Sequence, residues 1–413
     1  MPEKIQNWNI KRLLEWSNNY LISKNVNQPR LSSELLLSSV LGYSRMELFL
    51  NFDYTLNPGQ LAKFKEYVLK RVGHMPVQYI LQEAYFRNLR LYVDRRVLIP
   101  RPETELLVDR ALSTIFKNTF TDKLSLFFSE WEKKGSGTAG LNAKPGHPDS
   151  IEFKKMIAVT GDGLEINLSP FRILEVGTGS GAIALSIAQE LEEYLKREII
   201  RFFSSLKKEK DNEFIKDNVL MELINLPEGV MRNIKLNSGF SIIATENSAE
   251  ALEVALKNAE SVLKKRFINM HNGGLEYRAD GYSGIIFYNA DVIPEESTDF
   301  TEIIKSGIDL VVSNPPYIKR AAYKSLPAEV RDFEPVNALL AGDRGTEVYV
   351  NIIDRLENLI PGSCDYIFET DPAVVFELQE LFEDKYRDEI TNLNIDCDYN
   401  RRERIISFKY FKK

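Results

Sequence analysis

Residues 172–189 read RILEVGTGSGAIALSIAQ, an apolar run, a turn with glycine at 177, 179 and 181, and then apolar residues at helical spacing. Glycine lets the backbone turn tightly and lets a ligand approach it, and the helix that follows adds partial positive charge at its first turn. The stretch therefore predicts a strand, a phosphate- or nucleoside-binding loop built from Gly177, Thr178, Gly179, Ser180 and Gly181, and a helix. Glycine spacing does not choose the ligand, because Gly177, Gly179 and Ala182 also satisfy the dinucleotide pattern G-x-G-x-x-G/A.

Further strand-like runs begin at Ser241 (SIIAT), Gly284 (GIIFY), Ile308 (IDLVVS), Asp365 (DYIFE) and Arg404 (RIISFKY), with helical stretches such as SAEALEVALKNAESVLKK between them. Strands alternating with helices predict a doubly wound, Rossmann-like α/β sheet. Upstream, IKRLLEWSNNYLI, SSELLLSSVLG and GQLAKFKEYVLKRV carry apolar residues at helical spacing, so residues 1–84 are expected to form a smaller helical bundle. The pattern turns to alternation in YFRNLRLYVDRRVL, which predicts a hairpin linker over 85–100 around Asn88 and Asp94. Residues 101–413 then form the sheet domain, with insertions expected at about 113–170, containing the Gly- and Pro-rich KKGSGTAGLNAKPGHPDS, and 202–239.

In such a sheet the carboxyl ends of the strands face the ligand crevice. Glu246 ends the second strand, where a carboxylate can accept hydrogen bonds from both hydroxyls of a ribose; it could also serve as an N-terminal charge for the next helix, with Asn247 or Ser248 as cap. Asp291 ends the third, placed to take an adenine amino group, with the backbone at Val292 on the ring edge. The fourth ends in Asn314-Pro315-Pro316-Tyr317. Proline cannot donate to a ladder, so the strand stops at Asn314 and a rigid polar corner follows. An amide or exocyclic amino nitrogen is a poor nucleophile because its lone pair is delocalised. The Asn314 side-chain oxygen and the Pro315 carbonyl could each accept one N–H and aim that lone pair at a methyl group, by positioning and without a strong base. Tyr317 would pack on the flat group.

Composition excludes several classes. Sixty acidic against 53 basic residues leave a net charge of −7, which argues against a broad basic face for nucleic acid. Two cysteines, Cys364 and Cys397, and three scattered histidines, His74, His147 and His271, suggest neither a disulfide framework nor a metal site. The first residues are charged and amphipathic, and no apolar run reaches the roughly 18 residues of a membrane span. A cytoplasmic protein, working as a monomer away from membranes, is expected.

NPPY after the fourth strand, with EVGTGSG after the first, resembles the amino-group methyltransferases that use S-adenosylmethionine. KRVGHMPVQYILQEAYFRNLRLYVDRRVLIPRPETELLVDRAL and VRDFEPVNALLAGDRGTEVYVNIID are similar to the protein-(glutamine) methyltransferases of peptide chain release factors. The resemblance implies methyl transfer to the side-chain amide nitrogen of the glutamine in a Gly-Gly-Gln loop, with release factors as partners. It puts S-adenosylmethionine against Gly177 to Gly181, Glu246, Asp291, Val292 and Asn314, and the substrate glutamine against Asn314, Pro315, Pro316 and Tyr317. Phe86 and the IPRPET loop, Ile99 to Thr104, would line the pocket, Phe86 on the donor's side and Arg101 and Pro102 on the substrate's; Arg101 reads equally as a structural charge pair. Two departures stand out: Glu246 where aspartate is more usual, and IFETDP, with Thr370 after Glu369 where the family tends to have glycine. NPPY alone also occurs in DNA adenine methyltransferases, so transfer to an adenine or guanine amino group is the alternative.

Overall fold

The computed structural model describes residues 8–122, 157–159, 164–168, 171–208, 234–237, 240–263, 268–269, 275–279, 282–294 and 298–412. Five helices come first: α1 (Ile10–Ser23), α2 (Pro29–Leu41), α3 (Arg45–Leu50), α4 (Pro58–Val72) and α5 (Val77–Leu81). Their starts are set locally. The Asn9 side chain accepts from the Arg12 N–H, and Ser44 with Glu47 and Asn57 with Gln60 form reciprocal capping boxes. Ile10, Leu13, Leu21, Leu36, Leu37, Phe64 and Val68 meet in a core that belongs to these helices.

A hairpin follows, β1 (Ala84–Phe86) against β2 (Leu89–Leu91), turning at Arg87 and Asn88. It is shorter than the sequence pattern predicts. Asp94 lies beyond it, where its carboxylate holds the Arg96 backbone N–H and guanidinium. Helix α6 (Glu105–Phe116) runs straight through Ser113, with Val108, Leu112 and Ile115 as core residues at helical spacing. The Gly- and Pro-rich stretch at 133–150 lies outside the described residues.

The remaining elements are β3 (Ile157–Val159), β4 (Leu164–Asn167), β5 (Phe171–Val176), α7 (Ala182–Lys208), β6 (Ile234–Asn237), β7 (Phe240–Glu246), α8 (Ala249–Leu263), β8 (Ile268–Asn269), β9 (Leu275–Ala279), β10 (Tyr282–Asn289), α9 (Thr298–Lys305), β11 (Leu310–Ser313), β12 (Ile318–Lys319), α10 (Arg320–Tyr323), α11 (Ala328–Arg331), β13 (Leu340–Gly342), α12 (Glu347–Leu356), β14 (Ser363–Glu369), α13 (Pro372–Lys385), β15 (Ile390–Cys397) and β16 (Glu403–Phe411). Helix α7 continues past Phe202 because Leu195, Ile199 and Phe203 extend its buried face. Strands β4 and β6 pair in parallel, Leu164 opposite Ile234, with β3 antiparallel beside β4.

The large sheet has the order β15-β16-β14-β11-β5-β7-β10-β9-β8. Strands β14, β11, β5, β7 and β10 are parallel, and β16 runs antiparallel between β14 and β15. Helices cover both faces. Successive residues of β5 alternate between them, Ile173 packing with α6 and α7 residues and Leu174 with Phe300, Ile304, Tyr349 and Ile352 of α9 and α12. This is the doubly wound, Rossmann-like fold. The strand order reverses beside β5, since β7 and β10 extend one side and β11 and β14 the other. At that switch point Val176 and Ser313 are partners in register, and the Ser313 hydroxyl donates to the Val176 carbonyl at 2.7 Å. The glycine loop and the Asn314 corner thus leave the sheet from adjacent, mutually tied residues.

Candidate active site

Two backbone N–H groups, of Gly177 and Thr178, donate to the Thr245 carbonyl at 2.8 and 3.0 Å, pinning the start of the glycine loop to β7. Gly177 and Gly179 have φ of +75° and +55°, and a Cβ built on either would meet nothing within 4 Å. Their backbone therefore faces open space that a ligand can approach. Gly181 is needed for packing instead, because a Cβ there would lie 3.1 Å from Leu185 Cδ1 and 3.6 Å from Ala255 Cα, so its absence lets α7 and α8 pack closely. Asn258 of α8 donates to the carbonyls of both Ser180 and Tyr92 at 2.9 Å, joining the loop to the segment after the hairpin. Beneath the loop, burial pushes Glu175 up to about 7, against the pull of the Thr178 hydroxyl and the Ala184 N–H. Its Oε1 is a buried atom without a hydrogen-bond partner.

Glu246 reaches into the same loop. Its Oε2 accepts the Gly179 N–H at 2.8 Å and its Oε1 the Ser248 N–H at 3.0 Å; burial raises its pKa against these bonds. The capping of α8 falls to Ser248, whose hydroxyl accepts the Ala251 N–H. The Glu246 carboxylate thus bridges the loop and the helix start with lone pairs to spare for further donors. Asp291 is more exposed, with Oδ2 2.9 Å from the Arg355 guanidinium of α12. Val292 has φ of +64°, and the Ile293 N–H donates back to the Asp291 carbonyl at 2.8 Å. This is a strained γ-turn on a β-branched residue, the kind of backbone outlier that clusters at ligand sites.

At the corner, the Asn314 amide nitrogen donates to the Thr104 hydroxyl at 3.1 Å. Neither Asn314 Oδ1 nor the Pro315 carbonyl has a hydrogen-bond partner among the described residues. Pro316 and Tyr317 are half-buried, and Tyr317 packs on the core beneath α12 and α13. The segment beyond is braced where Ile318 pairs with Leu340. Gly345 is required there, since a Cβ would lie 2.9 Å from the Tyr317 carbonyl. Pro102 opens the short turn Pro102–Thr104 that carries Thr104 to the corner. Arg101 is engaged by Glu334 from VRDFEP, its Nη2 lying 2.6 and 2.8 Å from the two carboxylate oxygens. Burial raises the pKa of Glu334 while Arg101 pulls it down. The structure thus contains the charge pair, and the pair joins two motifs 233 residues apart.

Phe86 is not part of this surface. It is 1% exposed and packed in the main core with Leu89, Leu107 and Leu112. In β1 the residues alternate, so Ala84 and Phe86 point inward and Tyr85 points out, which corrects the expectation that Phe86 lines the pocket. The glycine loop, Glu246 and the corner, by contrast, converge on the carboxyl ends of β5, β7 and β11. Sequence reasoning passed over Glu334, Asn258 and Arg355. An asparagine among the alanines of α8 was a usable signal; the others are ordinary charges whose partners are distant in the chain.

Residues 12–81 match the family model of the PrmC N-terminal domain. The chain is 28% identical to the release factor glutamine methyltransferase of Chlorobaculum tepidum over 98% of its own length and 99% of the relative's. It is 26% identical to that of Rhodopirellula baltica over 97% and 96%, and 27% identical to that of Geobacter sulfurreducens over 88% and 84%. With a matching amino-terminal domain and a sheet whose switch point carries the glycine loop and the Asn-Pro-Pro-Tyr corner, the chain is similar over nearly its full length to release factor glutamine methyltransferases.

Proposed function

We propose that this enzyme transfers a methyl group to the side-chain amide nitrogen of the glutamine in the Gly-Gly-Gln loop of peptide chain release factors. The observation that carries the reading is the pair of unengaged acceptors at the corner, Asn314 Oδ1 and the Pro315 carbonyl, beside a glycine loop whose backbone faces open space. S-adenosylmethionine, when bound, supplies an electrophilic methyl on a sulfonium. The residues present fit it: Gly177 and Gly179 leave room at the backbone, Glu246 retains acceptor capacity for ribose hydroxyls, and the turn at Asp291 and Val292 edges the place for an adenine.

The chain's own work is positioning. Asn314 Oδ1 and the Pro315 carbonyl accept the two N–H groups of the substrate amide, turning its nitrogen toward the methyl, while Pro316 and Tyr317 hold the flat group from the side. Two fixed acceptors need no reorganisation at the moment of transfer, which is the usual source of the larger part of such a rate gain. The Arg101–Glu334 pair keeps the IPRPET turn against the corner. The helical bundle of residues 1–84 recognises the body of the release factor, and the protein acts as a cytoplasmic monomer.

The test is mass spectrometry of a release factor incubated with the enzyme and S-adenosylmethionine, beside one whose Gly-Gly-Gln glutamine is alanine. One methyl on the loop glutamine is expected, with calorimetric binding of the donor and none of comparable strength for NAD. Label entering DNA or RNA, or binding of NAD alone, would overturn the reading.

A further inference from the structure

The turn that follows β10 is held by its neighbours on both sides. On the near side the Glu246 carbonyl accepts the Asn289 side-chain amide at 2.7 Å and the Ala290 N–H at 2.8 Å, tying the turn to the end of β7. At the centre Val292 is buried in the core that contains Phe300, Ile304 and Ile353, with a φ of +64° that a β-branched residue keeps only where its surroundings impose it. On the far side stands Arg355 of α12. Its Nη1 lies 2.9 Å from Asp291 Oδ2 and its Nη2 3.4 Å from the Ile293 carbonyl, so one planar guanidinium spans the residues on either side of Val292. Ile352, Ile353 and Leu356 are buried, which fixes the helix and with it the root of the arginine. Among the described residues the second carboxylate oxygen, Asp291 Oδ1, has no hydrogen-bond partner.

An arginine in the last turn of a helix ordinarily complements the helix dipole. The Arg355 and Asp291 side chains are 31% and 62% exposed, and an ion pair so open to solvent contributes little to stability. Its effect is geometric. A carboxylate on a free rotor offers either oxygen in many directions, whereas one whose Oδ2 is held by a guanidinium bonded to the backbone of the same turn offers Oδ1 in one. We propose that Arg355 is a positioning residue that aims the Asp291 carboxylate, so that Oδ1 meets the exocyclic amino group of the donor's 6-aminopurine. The inference rests on the proposed placement of the donor's adenine at Asp291 and Val292. Arg355 does not touch the donor; it acts through Asp291, and so it governs which nucleoside the site prefers rather than the rate of methyl transfer.

The test uses calorimetry on the full chain with two probes, S-adenosylhomocysteine, whose purine carries a 6-amino group, and S-inosylhomocysteine, whose purine carries a 6-oxo group. A carboxylate oxygen aimed at this position accepts from the amino group and repels the carbonyl, so the adenine compound should bind more than about tenfold more tightly. Arg355→Ala should lower that ratio about fivefold, by weakening the adenine compound while the inosine compound stays within about twofold. A role confined to the helix end would lower the melting temperature and leave the ratio alone. In an Asp291→Ala background, Arg355→Ala should change the ratio by less than about twofold, because the group it aims is gone. An unchanged ratio in Arg355→Ala, or a full fivefold loss in the Asp291→Ala background, rejects the positioning role. If Asp291→Ala lowers the ratio and Arg355→Ala does not, the adenine's placement stands and only the role of Arg355 falls. A ratio unmoved by Asp291→Ala puts the adenine elsewhere, and binding of neither probe rejects the donor; either result overturns the placement and the inference with it.

Discussion

Arg71 of α4 lies 2.7 Å from Glu329 of α11, joining the interior of the helical bundle to the segment that runs on from the Asn314 corner. The guanidinium is almost wholly buried and is also held by the Ser32 hydroxyl and the Met75 and Asn27 carbonyls, while Asn27 Nδ2 donates to Glu329 Oε1 at 3.0 Å. Because three acceptors remain to Arg71, Glu329→Ala should leave the bundle folded and cost about 1–3 kcal/mol in urea denaturation, the range for a charge-assisted bond. Turnover on an intact release factor should fall more than turnover on a short Gly-Gly-Gln peptide. Equal losses on both substrates would show that this contact does not serve recognition.

Asn314→Ala removes one of the two free acceptors and keeps the Pro-Pro backbone. Loss of one preorganised partner costs about 10²–10³ in rate, roughly 2.7–4 kcal/mol. Donor affinity should change by less than about threefold, since most of the proposed donor contacts lie on the glycine loop, Glu246 and the turn at Asp291 and Val292. Asp at this position should be equally slow, because a negative charge beside a sulfonium favours the bound ground state and adds nothing to the geometry of attack. Kinetics on a release factor, paired with donor calorimetry, decide it; full activity in either variant contradicts the assignment.

The three glycines should fail in different ways. Gly179→Ala puts a methyl group into open space at a positive φ, so the fold should lose on the order of 1 kcal/mol while donor affinity falls more than about tenfold. Gly181→Ala, whose Cβ would press on Leu185 and approach the Ala255 backbone, should lower the melting temperature more and affect the donor less. If the two substitutions give the same profile in melting and calorimetry, the division of labour in the loop is wrong.

The acid dependence follows from Glu369. Burial pushes its carboxyl up to about 7; the Thr104 hydroxyl, Arg404 and Arg101 pull it down and Glu103 pushes it up, and Tyr317 and Tyr349 face it as well. A carboxyl whose folded pKa lies above its unfolded one contributes stability that is complete below about 4.5 and lost as pH rises through about 7. The native protein should therefore weaken relative to Glu369→Gln between pH 5 and 8 in urea titrations. Parallel stability curves for the two proteins over that range would contradict the raised pKa of Glu369.

Much of this molecule is legible in its residue order alone. Periodicity decided α1, α2 and α4 of the bundle and the six strand-like runs, all of which are strands of the sheet, because each buries an apolar face whose spacing is set by its own residues. The glycine loop was legible for the same local reason. So was the corner, since Pro315 ends a strand wherever it stands. Strand β15 was not: at the sheet edge, paired only with β16, its half-exposed residues carry no alternation to read. Sequence pattern also offered no means to see that residues 164–167 and 234–237 would pair.

Tertiary structure alone decided the chemistry around the corner. Whether Phe86 faced a pocket or the core depended on which side of a three-residue strand met α6. Arg101 became a partner of Glu334, and Thr104 of Asn314, only when segments separated by more than two hundred residues were brought within hydrogen-bonding distance. Local sequence specifies backbone conformation through short-range sterics and solvent exposure. Which donor meets which acceptor is set by the packing of the whole sheet, and so by residues far from either one.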